Sequence, residues 1–149
     1  MDEIDSAIKD IRGAIFALHR PLGAPAVEQE IRDLVEGATA TLGFAPEVVV
    51  DGALEHLPEP FEPELLAVVR EGLSNVVRHS GADWCRLHVT VQPGLCVTVE
   101  DDGVGVPPDA PRSGLGNLHR RAARLGGSMD LVPRSPRGTC MRWRVPLPG

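Results

Sequence analysis

The strongest constraint on the fold is an alternating pattern that begins after Gly81 and continues to residue 99. Apolar side chains occupy every second position, and polar side chains stand between them. The apolar set is Cys85, Leu87, Val89, Val91, Leu95, Val97 and Val99. Because successive side chains of a strand point to opposite faces, the pattern predicts two strands with one buried face. Pro93-Gly94 lies between them, so we predict a β-hairpin that packs on a core.

The chain on both sides of this hairpin has further periodic segments. Apolar residues three and four positions apart indicate helices, and short apolar runs indicate strands. The predicted helices are 26–42, 63–79 and 115–125, and the further strands are 48–50, 129–132 and 139–145. The resulting order, αβαββαββ, favours an α/β sandwich in which a mixed β-sheet has its helices packed on one face.

Length and charge narrow the classes of function. A chain of 149 residues fits one domain. Its net charge of −6 argues against a dedicated nucleic-acid binder. Residues 65–149 nevertheless hold seven acids against eleven bases, which suits either an anionic ligand or solvated arginines. No apolar run approaches the roughly 20 residues of a membrane helix, and the acidic N-terminus is unlike a signal peptide, so we expect a cytoplasmic domain without membrane contact.

Cysteine spacing argues against a structural zinc site. The three cysteines, Cys85, Cys96 and Cys140, are far apart, and no CxxC or Cys/His ligand spacing occurs. Since Cys85 and Cys96 lie in apolar strand-like runs, we expect both thiols to be reduced and buried.

Glu71 and Asn75 form the first candidate for chemistry. Their i,i+4 spacing places a carboxylate and an amide on one face of the predicted helix. For the pair taken alone, an ordinary solvated helix face is the simpler explanation. Alternatively, the two oxygens could serve as ligands for Mg²⁺, which favours carboxylate and amide oxygens together with phosphates.

Glycine-rich segments follow the hairpin. Asp101-Asp102-Gly103-Val104-Gly105 comes directly after a strand, and Ser113-Gly114-Leu115-Gly116-Asn117 comes directly before the last predicted helix. Glycine lets a backbone approach a ligand closely, and a helix N-terminus favours an anion. An Asx turn and a helix cap are the simpler explanations of each segment taken alone. Gly138-Thr139, at the start of the last strand, reads alone as a turn.

The order of these segments resembles the GHKL, or Bergerat-fold, superfamily of ATPases and kinases. The likeness covers about residues 26–149 and is greatest to sensor histidine kinases of the class partnered with NarL, including mycobacterial oxygen- and redox-sensing kinases. EGLSNVVRHS resembles the N box, DDGVG the G1 box and SGLGN the G2 box, and GTCMRWRVPLP resembles the closing segment. The resemblance implies the ATP-binding catalytic domain of a histidine kinase, with ATP and Mg²⁺ as cofactors.

The resemblance also implies a role for each matched residue. Asn75 would hold Mg²⁺ together with Glu71, and Glu71 would also orient or deprotonate the acceptor imidazole. Arg78 would contact phosphates, and Asp101 would recognise the adenine amino group beside Thr139. The remaining ATP-binding residues that it implies are Gly103, Gly105, Gly114, Leu115 and Gly116. Asp102 departs from the family pattern, which often has Asn there, and its charge is expected to disfavour ATP.

The phosphoacceptor histidine of such a kinase is not found in this sequence. His19 lacks the acidic neighbour that the family's acceptor motif has. Residues 1–20 carry an apolar stripe of the kind that pairs two helices and resemble the second helix of a dimerisation hairpin. We therefore expect residues 1–20 to be a remnant of that hairpin and 21–149 to be the catalytic domain. The acceptor would come from a dimerisation domain missing here, and the phosphate would pass to a NarL-type response regulator.

Two alternatives to the kinase stay open on the sequence. The first is an anti-sigma-like GHKL regulator that binds ATP and a protein partner. The second is a degenerate domain that only docks to another protein.

Overall fold

The computed structural model describes residues 26–52, 54–79, 81–91, 93–104 and 113–148. The predicted hairpin helix at 1–20, together with His19, lies outside these residues. Within them, the helices are α1 Ala26–Leu42, α2 Glu62–His79 and α3 Ser113–Arg124. The strands are β1 Glu47–Asp51, β2 Cys85–Thr90, β3 Leu95–Asp101, β4 Ser128–Pro133 and β5 Thr139–Val145.

The five strands form one mixed sheet in the order β1-β2-β3-β5-β4. β1 runs parallel to β2, and the other neighbouring pairs are antiparallel. The predicted hairpin is present as β2 and β3, with Leu87 opposite Val99 and Val89 opposite Val97. The predicted α/β sandwich is confirmed.

One face of the sheet carries the hydrophobic core. Buried and half-buried residues alternate strictly along β2 and β3, as the sequence pattern predicted. α2 packs on β3, whereas α3 packs on β4 and β5. The fully buried Trp143 of β5 donates a hydrogen bond of 3.0 Å from its indole Nε1 to the carbonyl oxygen of Leu118 in α3. This bond satisfies the one polar atom of the largest core side chain.

The alternation corrects the expectation for one cysteine. Cys85 faces the core and is buried, and burial raises the pKa of its thiol to about 12. Cys96 is only half-buried, because its neighbours Leu95 and Val97 occupy the inward positions of β3. Its side chain therefore lies on the opposite, polar face of the sheet.

Glu64 links the beginning of α2 to the end of α3. Its carboxylate accepts hydrogen bonds of 2.7 Å from Arg121 Nη1 and 2.6 Å from Arg124 Nη2. The Glu64 side chain is 14% exposed and that of Arg121 is 27% exposed, so solvent screens this pair less than a surface pair. The three side chains fix the position of α3 relative to α2.

Among the described helices, none is long and apolar enough to cross a bilayer.

Replacing Glu64 by Gln should lower the free energy of unfolding by about 1.5–3 kcal/mol, the range for hydrogen bonds to charged groups. The amide keeps one acceptor oxygen but turns NH₂ donors toward the second guanidinium. Urea unfolding followed by circular dichroism measures the change.

Glu28→Gln is the matched control, because Glu28 pairs with Arg32 one turn along α1 and that arginine is 54% exposed. This control should lose at most about 0.5 kcal/mol. Equal losses in the two variants would show that the Glu64 cluster adds nothing beyond a surface pair.

Candidate nucleotide-binding site

Glu71 and Asn75 lie along one face of α2, as predicted, and Arg78 follows them on the same face. The i,i+4,i+7 spacing stacks them over two turns of the helix. Arg78 Nη2 donates to Glu71 Oε1 at 3.2 Å, and Arg78 Nε donates to the carbonyl oxygen of Ser74 at 3.4 Å. In the structure, Glu71 and Arg78 are therefore paired with each other, although the resemblance implied a separate role for each. Asn75 is half-buried between them.

Gly72 brings this helix close to the sheet. A Cβ at position 72 would lie 2.8 Å from Val99 Cγ2 and 3.3 Å from Met141 Cε. A larger residue would require Val99, Met141 or α2 itself to shift. Sequence reasoning missed this residue, although an isolated glycine inside a helical pattern is a signal of close packing.

Asp101 ends β3 on the same face of the sheet as Val99. It is 6% exposed, and its Oδ1 accepts a 2.9 Å hydrogen bond from the N–H of Gly103. Burial raises the pKa of the Asp101 carboxyl, and the N–H of Gly103 opposes that rise. Thr139, itself 8% exposed, lies opposite Asp101 in the β3–β5 register. The predicted pair is thus brought together in a buried, polar position.

The turn between β4 and β5 packs against this position. Gly138 has φ +112°, and a Cβ there would overlap the carbonyl oxygen of Asp101. Only glycine combines that backbone conformation with so close an approach. Arg137, in the same turn, donates from Nε to the carbonyl oxygens of Asp102 and Gly103. Gly103 is consequently held from both sides, and sequence reasoning missed Arg137 because it is far away in the chain.

Asp102 is engaged with the backbone of its own sheet. Its Oδ1 accepts hydrogen bonds of 2.9 Å from the N–H groups of both Asp83 and Trp84, just before β2. Burial acts to raise the pKa of this carboxyl, but these donors outweigh burial and the pKa is lowered. Asp102 therefore stays ionised, and its Oδ1 is engaged with backbone donors on the side of Asp83 and Trp84. The effect of its charge on ATP stays a prediction.

The G2 segment, Ser113-Gly114-Leu115-Gly116-Asn117, lies inside a helix, whereas the sequence pattern placed it directly before one. α3 begins at Ser113, so Gly114, Leu115 and Gly116 occupy its first turn. Leu115 is buried, and it lines an apolar cleft of about 210 Å³ with Gly116, His119, Met129 and Leu131. Gly105 lies outside the described residues.

Mg²⁺ fits this site only together with a nucleotide. The described residues contain no cluster of three or more His, Cys, Asp or Glu side chains that could hold a metal ion. Mg²⁺ is commonly bound by one or two protein oxygens, with phosphates and water completing its octahedron. The side-chain amide of Asn75 offers one such oxygen. This side chain forms no hydrogen bond with any other described residue. The Glu71 carboxylate is a second oxygen donor of this type, and in the structure it is paired with Arg78.

Comparison with known structures gives the class of the fold. The histidine kinase domain from the Erythrobacter litoralis EL346 blue-light activated histidine kinase superposes with a TM-score of 0.64 at 25% identity, over 78% of this chain and 59% of that one. The ATP binding domain of PrrB from Mycobacterium tuberculosis has a TM-score of 0.54 at 22% identity, over 78% and 93%. This second likeness shows the fold alone. The mixed sheet and its helices thus form the GHKL α/β sandwich.

Sequence comparison then gives the family. Residues 62–149 match the family described as Histidine kinase-, DNA gyrase B-, and HSP90-like ATPase. Since the match covers more than half of the chain, the chain belongs to this family.

Individual relatives are sensor kinases. Sensor histidine kinase NarS of Mycobacterium tuberculosis is 32% identical over 157 residues, which span 97% of this chain and 35% of NarS. Sensor histidine kinase LnrJ of Bacillus subtilis is 30% identical over 133 residues, or 89% of this chain and 33% of LnrJ. The predicted resemblance to sensor histidine kinases is confirmed. This chain spans about a third of the length of either relative.

Gly138→Ala should lower the free energy of unfolding by about 2 kcal/mol or more, because it combines a strained φ with overlap at the Asp101 carbonyl. Denaturant titration measures the loss.

Gly37→Ala provides the opposite control, since a Cβ at that helical position would meet no atom of the described residues within 4 Å apart from the neighbouring backbone of its own helix. It should raise stability by about 0.5–1 kcal/mol. A Gly138→Ala variant as stable as the parent would contradict the close approach of this turn to Asp101.

Proposed function

We propose that this chain is the ATP-binding catalytic domain of a two-component sensor histidine kinase. It would transfer the γ-phosphate of ATP to a histidine on a dimerisation domain, from which the phosphate passes to a NarL-type response regulator. The observation that carries the proposal is the buried Asp101 carboxylate, fixed at a strand end next to the helix that bears Glu71, Asn75 and Arg78. Membership of the ATPase family and likeness to sensor kinases support it.

Adenine recognition is assigned to Asp101 and Thr139. The Oδ1 atom of Asp101 is occupied by Gly103, which leaves acceptor capacity on the carboxylate for an exocyclic amino group. Adenine carries an N6 amino donor where guanine carries the O6 acceptor. A carboxylate in a nearly buried position therefore favours adenine and rejects guanine. Gly103, Gly105, Gly114, Leu115 and Gly116 are assigned to close approach to the nucleotide.

Phosphate positioning is assigned to α2. Asn75 would hold Mg²⁺, which neutralises charge on the phosphates during transfer. Arg78, whose side chain is 54% exposed, would leave Glu71 for a phosphate oxygen. Glu71 would then be available to the metal and to the N–H of the acceptor imidazole, which it orients or deprotonates. In enzymatic phosphoryl transfer, charge neutralisation and positioning account for most of the acceleration over the uncatalysed reaction.

Asp101→Asn should weaken ATP binding by about 1.5–3 kcal/mol, because the variant loses a charge-assisted hydrogen bond to the adenine amino group. Isothermal titration calorimetry measures the affinity, and GTP should bind poorly to the parent domain. Since burial raises the pKa of Asp101, ATP affinity of the parent should fall on acidification at a pH above the ordinary aspartate range. Asp101→Asn should lack this dependence.

The reference for the pH series is the Asp101→Asn variant itself, in which protonation of ATP phosphates still occurs. Equal affinities of the parent for ATP and GTP would remove Asp101 from the adenine role.

The isolated chain should bind ATP without phosphorylating itself, and a supplied dimerisation hairpin that carries the acceptor histidine should become labelled. Glu71→Ala should abolish most of this transfer while it leaves the affinity for metal-free ATP nearly unchanged, because Glu71 acts on the acceptor and on Mg²⁺ rather than on the nucleotide itself. The measurement is incorporation of radiolabelled phosphate, with an acid treatment that removes phosphohistidine.

Two results of the transfer assay would count against the proposal. Acid-labile label on this chain alone, lost in His19→Ala, would show that the acceptor is here. Label on neither chain despite measured ATP binding would favour the anti-sigma-like regulator.

A further inference from the structure

The turn between β4 and β5 holds the loop that follows Asp101. Arg137 Nε lies 2.9 Å from the carbonyl oxygen of Asp102 and 3.3 Å from that of Gly103. One N–H group therefore bridges two successive carbonyls of the G1 segment. The turn also presents Gly138 against the Asp101 carbonyl, so consecutive residues of the turn contact consecutive residues of the loop.

The same loop is tied to the sheet from a second direction. Asp102 Oδ1 accepts from the N–H groups of Asp83 and Trp84, and the N–H of Asp102 donates to the Trp84 carbonyl at 3.3 Å. These bonds fix residue 102 beside the start of β2. They do not reach Gly103, whose carbonyl accepts from Arg137.

Gly103 is the link between this turn and the proposed ligand contact. Its N–H donates to Asp101 Oδ1 at 2.9 Å and orients that carboxylate. Gly103 is buried but has no side chain of its own to anchor it. A glycine without a tether explores more backbone conformations than any other residue. Its N–H shares a planar peptide unit with the Asp102 carbonyl, which accepts the 2.9 Å hydrogen bond from Arg137. That bond therefore keeps the Gly103 N–H aimed at Asp101, and the bond to the Gly103 carbonyl holds the next peptide unit.

We propose that Arg137 is a positioning residue that holds Gly103 in place, keeps the Asp101 carboxylate oriented, and thereby sets the preference of the site for adenine over guanine. This inference rests on the proposed role of Asp101 in binding adenine. It assigns Arg137 a structural hydrogen bond to the loop rather than a contact with nucleotide phosphates.

The chemistry of the side chain provides matched variants. Gln places its amide nitrogen at the same position along the side chain as Arg Nε, so Arg137→Gln keeps the donor and removes the charge. Arg137→Met has a methyl group there and keeps neither. Arg142→Met is the control, because Arg142 is an exposed arginine of β5 whose side chain makes no hydrogen bond with the other described residues.

The first measurement needs no nucleotide. Amide hydrogen exchange at Gly103, followed by NMR, should be faster in Arg137→Met by about fivefold, the effect of losing one ordinary hydrogen bond. Arg137→Gln and Arg142→Met should exchange at the parent rate. An unchanged Gly103 rate in Arg137→Met would overturn the proposal.

The second measurement compares ATP, ADP, AMP and GTP by calorimetry. Arg137→Met should weaken the three adenine nucleotides by one common factor of about five and leave GTP unchanged, so the ATP preference falls by that factor. Arg137→Gln should retain the preference. A loss that grows from AMP to ATP, shared by the Gln variant, would overturn the proposal in favour of a phosphate contact.

Two further outcomes are informative. If the parent itself does not prefer ATP to GTP, the role of Asp101 fails and the inference fails with it; a parent preference that Arg137→Met retains overturns the inference alone. If Arg137→Met does not fold, Arg137→Lys replaces it, because lysine keeps the charge but has a carbon at the Nε position. Arg137→Lys should then show a smaller preference for ATP over GTP than Arg137→Gln does. A larger preference in Arg137→Lys would contradict the proposal.

Discussion

A carboxylate held inside the protein is the constraint around which this site is organised. Asp101 is 6% exposed, and a charge in such a position is costly unless donors surround it. The N–H of Gly103 provides one donor at 2.9 Å, and the neighbouring strand places Thr139 opposite. Gly138 allows that strand to begin in contact with the Asp101 carbonyl. The G1 segment, the β4–β5 turn and the last strand therefore form one unit around a single side chain.

Helix packing brings the other half of the site to this carboxylate. Gly72 lets α2 lie directly on Val99, two residues before Asp101 on the same face of β3. The face with Glu71, Asn75 and Arg78 is carried by the same helix. At its first turn, Glu64 fastens α2 to Arg121 and Arg124 of α3, the helix that begins with the G2 segment. α2 thus carries the residues proposed to contact the phosphates. It also packs on β3, which carries the residue proposed to bind the base.

Local patterns in the sequence predicted most of the fold. The strict alternation of residues 85–99 fixed the hairpin and its buried face, and helical periodicity placed α2 within one residue of its observed start. Asp101 and Thr139 were predicted as neighbours only through resemblance to a family, since nothing local in the sequence brings positions 38 residues apart together. The register of β3 and β5 does so. Side-chain alternation also explains the error at Cys96, which shares an apolar run but occupies an outward position.

The contacts that were not predicted are those between distant segments. Arg137 reaches the G1 loop across 34 and 35 residues of sequence, and Arg121 reaches Glu64 across 57. Such pairs depend on the sheet order, which a single sequence does not specify. Glu71 and Arg78 are close in sequence, but their mutual ion pair competes with the ligand contacts that resemblance implies for each.

A crystal structure of the domain with Mg²⁺ and a non-hydrolysable ATP analogue tests the central role of Asp101 most directly. The adenine N6 atom is predicted to lie about 3 Å from a carboxylate oxygen of Asp101, with the phosphates extending toward Asn75 on α2. A base bound in the apolar cleft between α3 and β4, with Asp101 out of contact, would contradict that role.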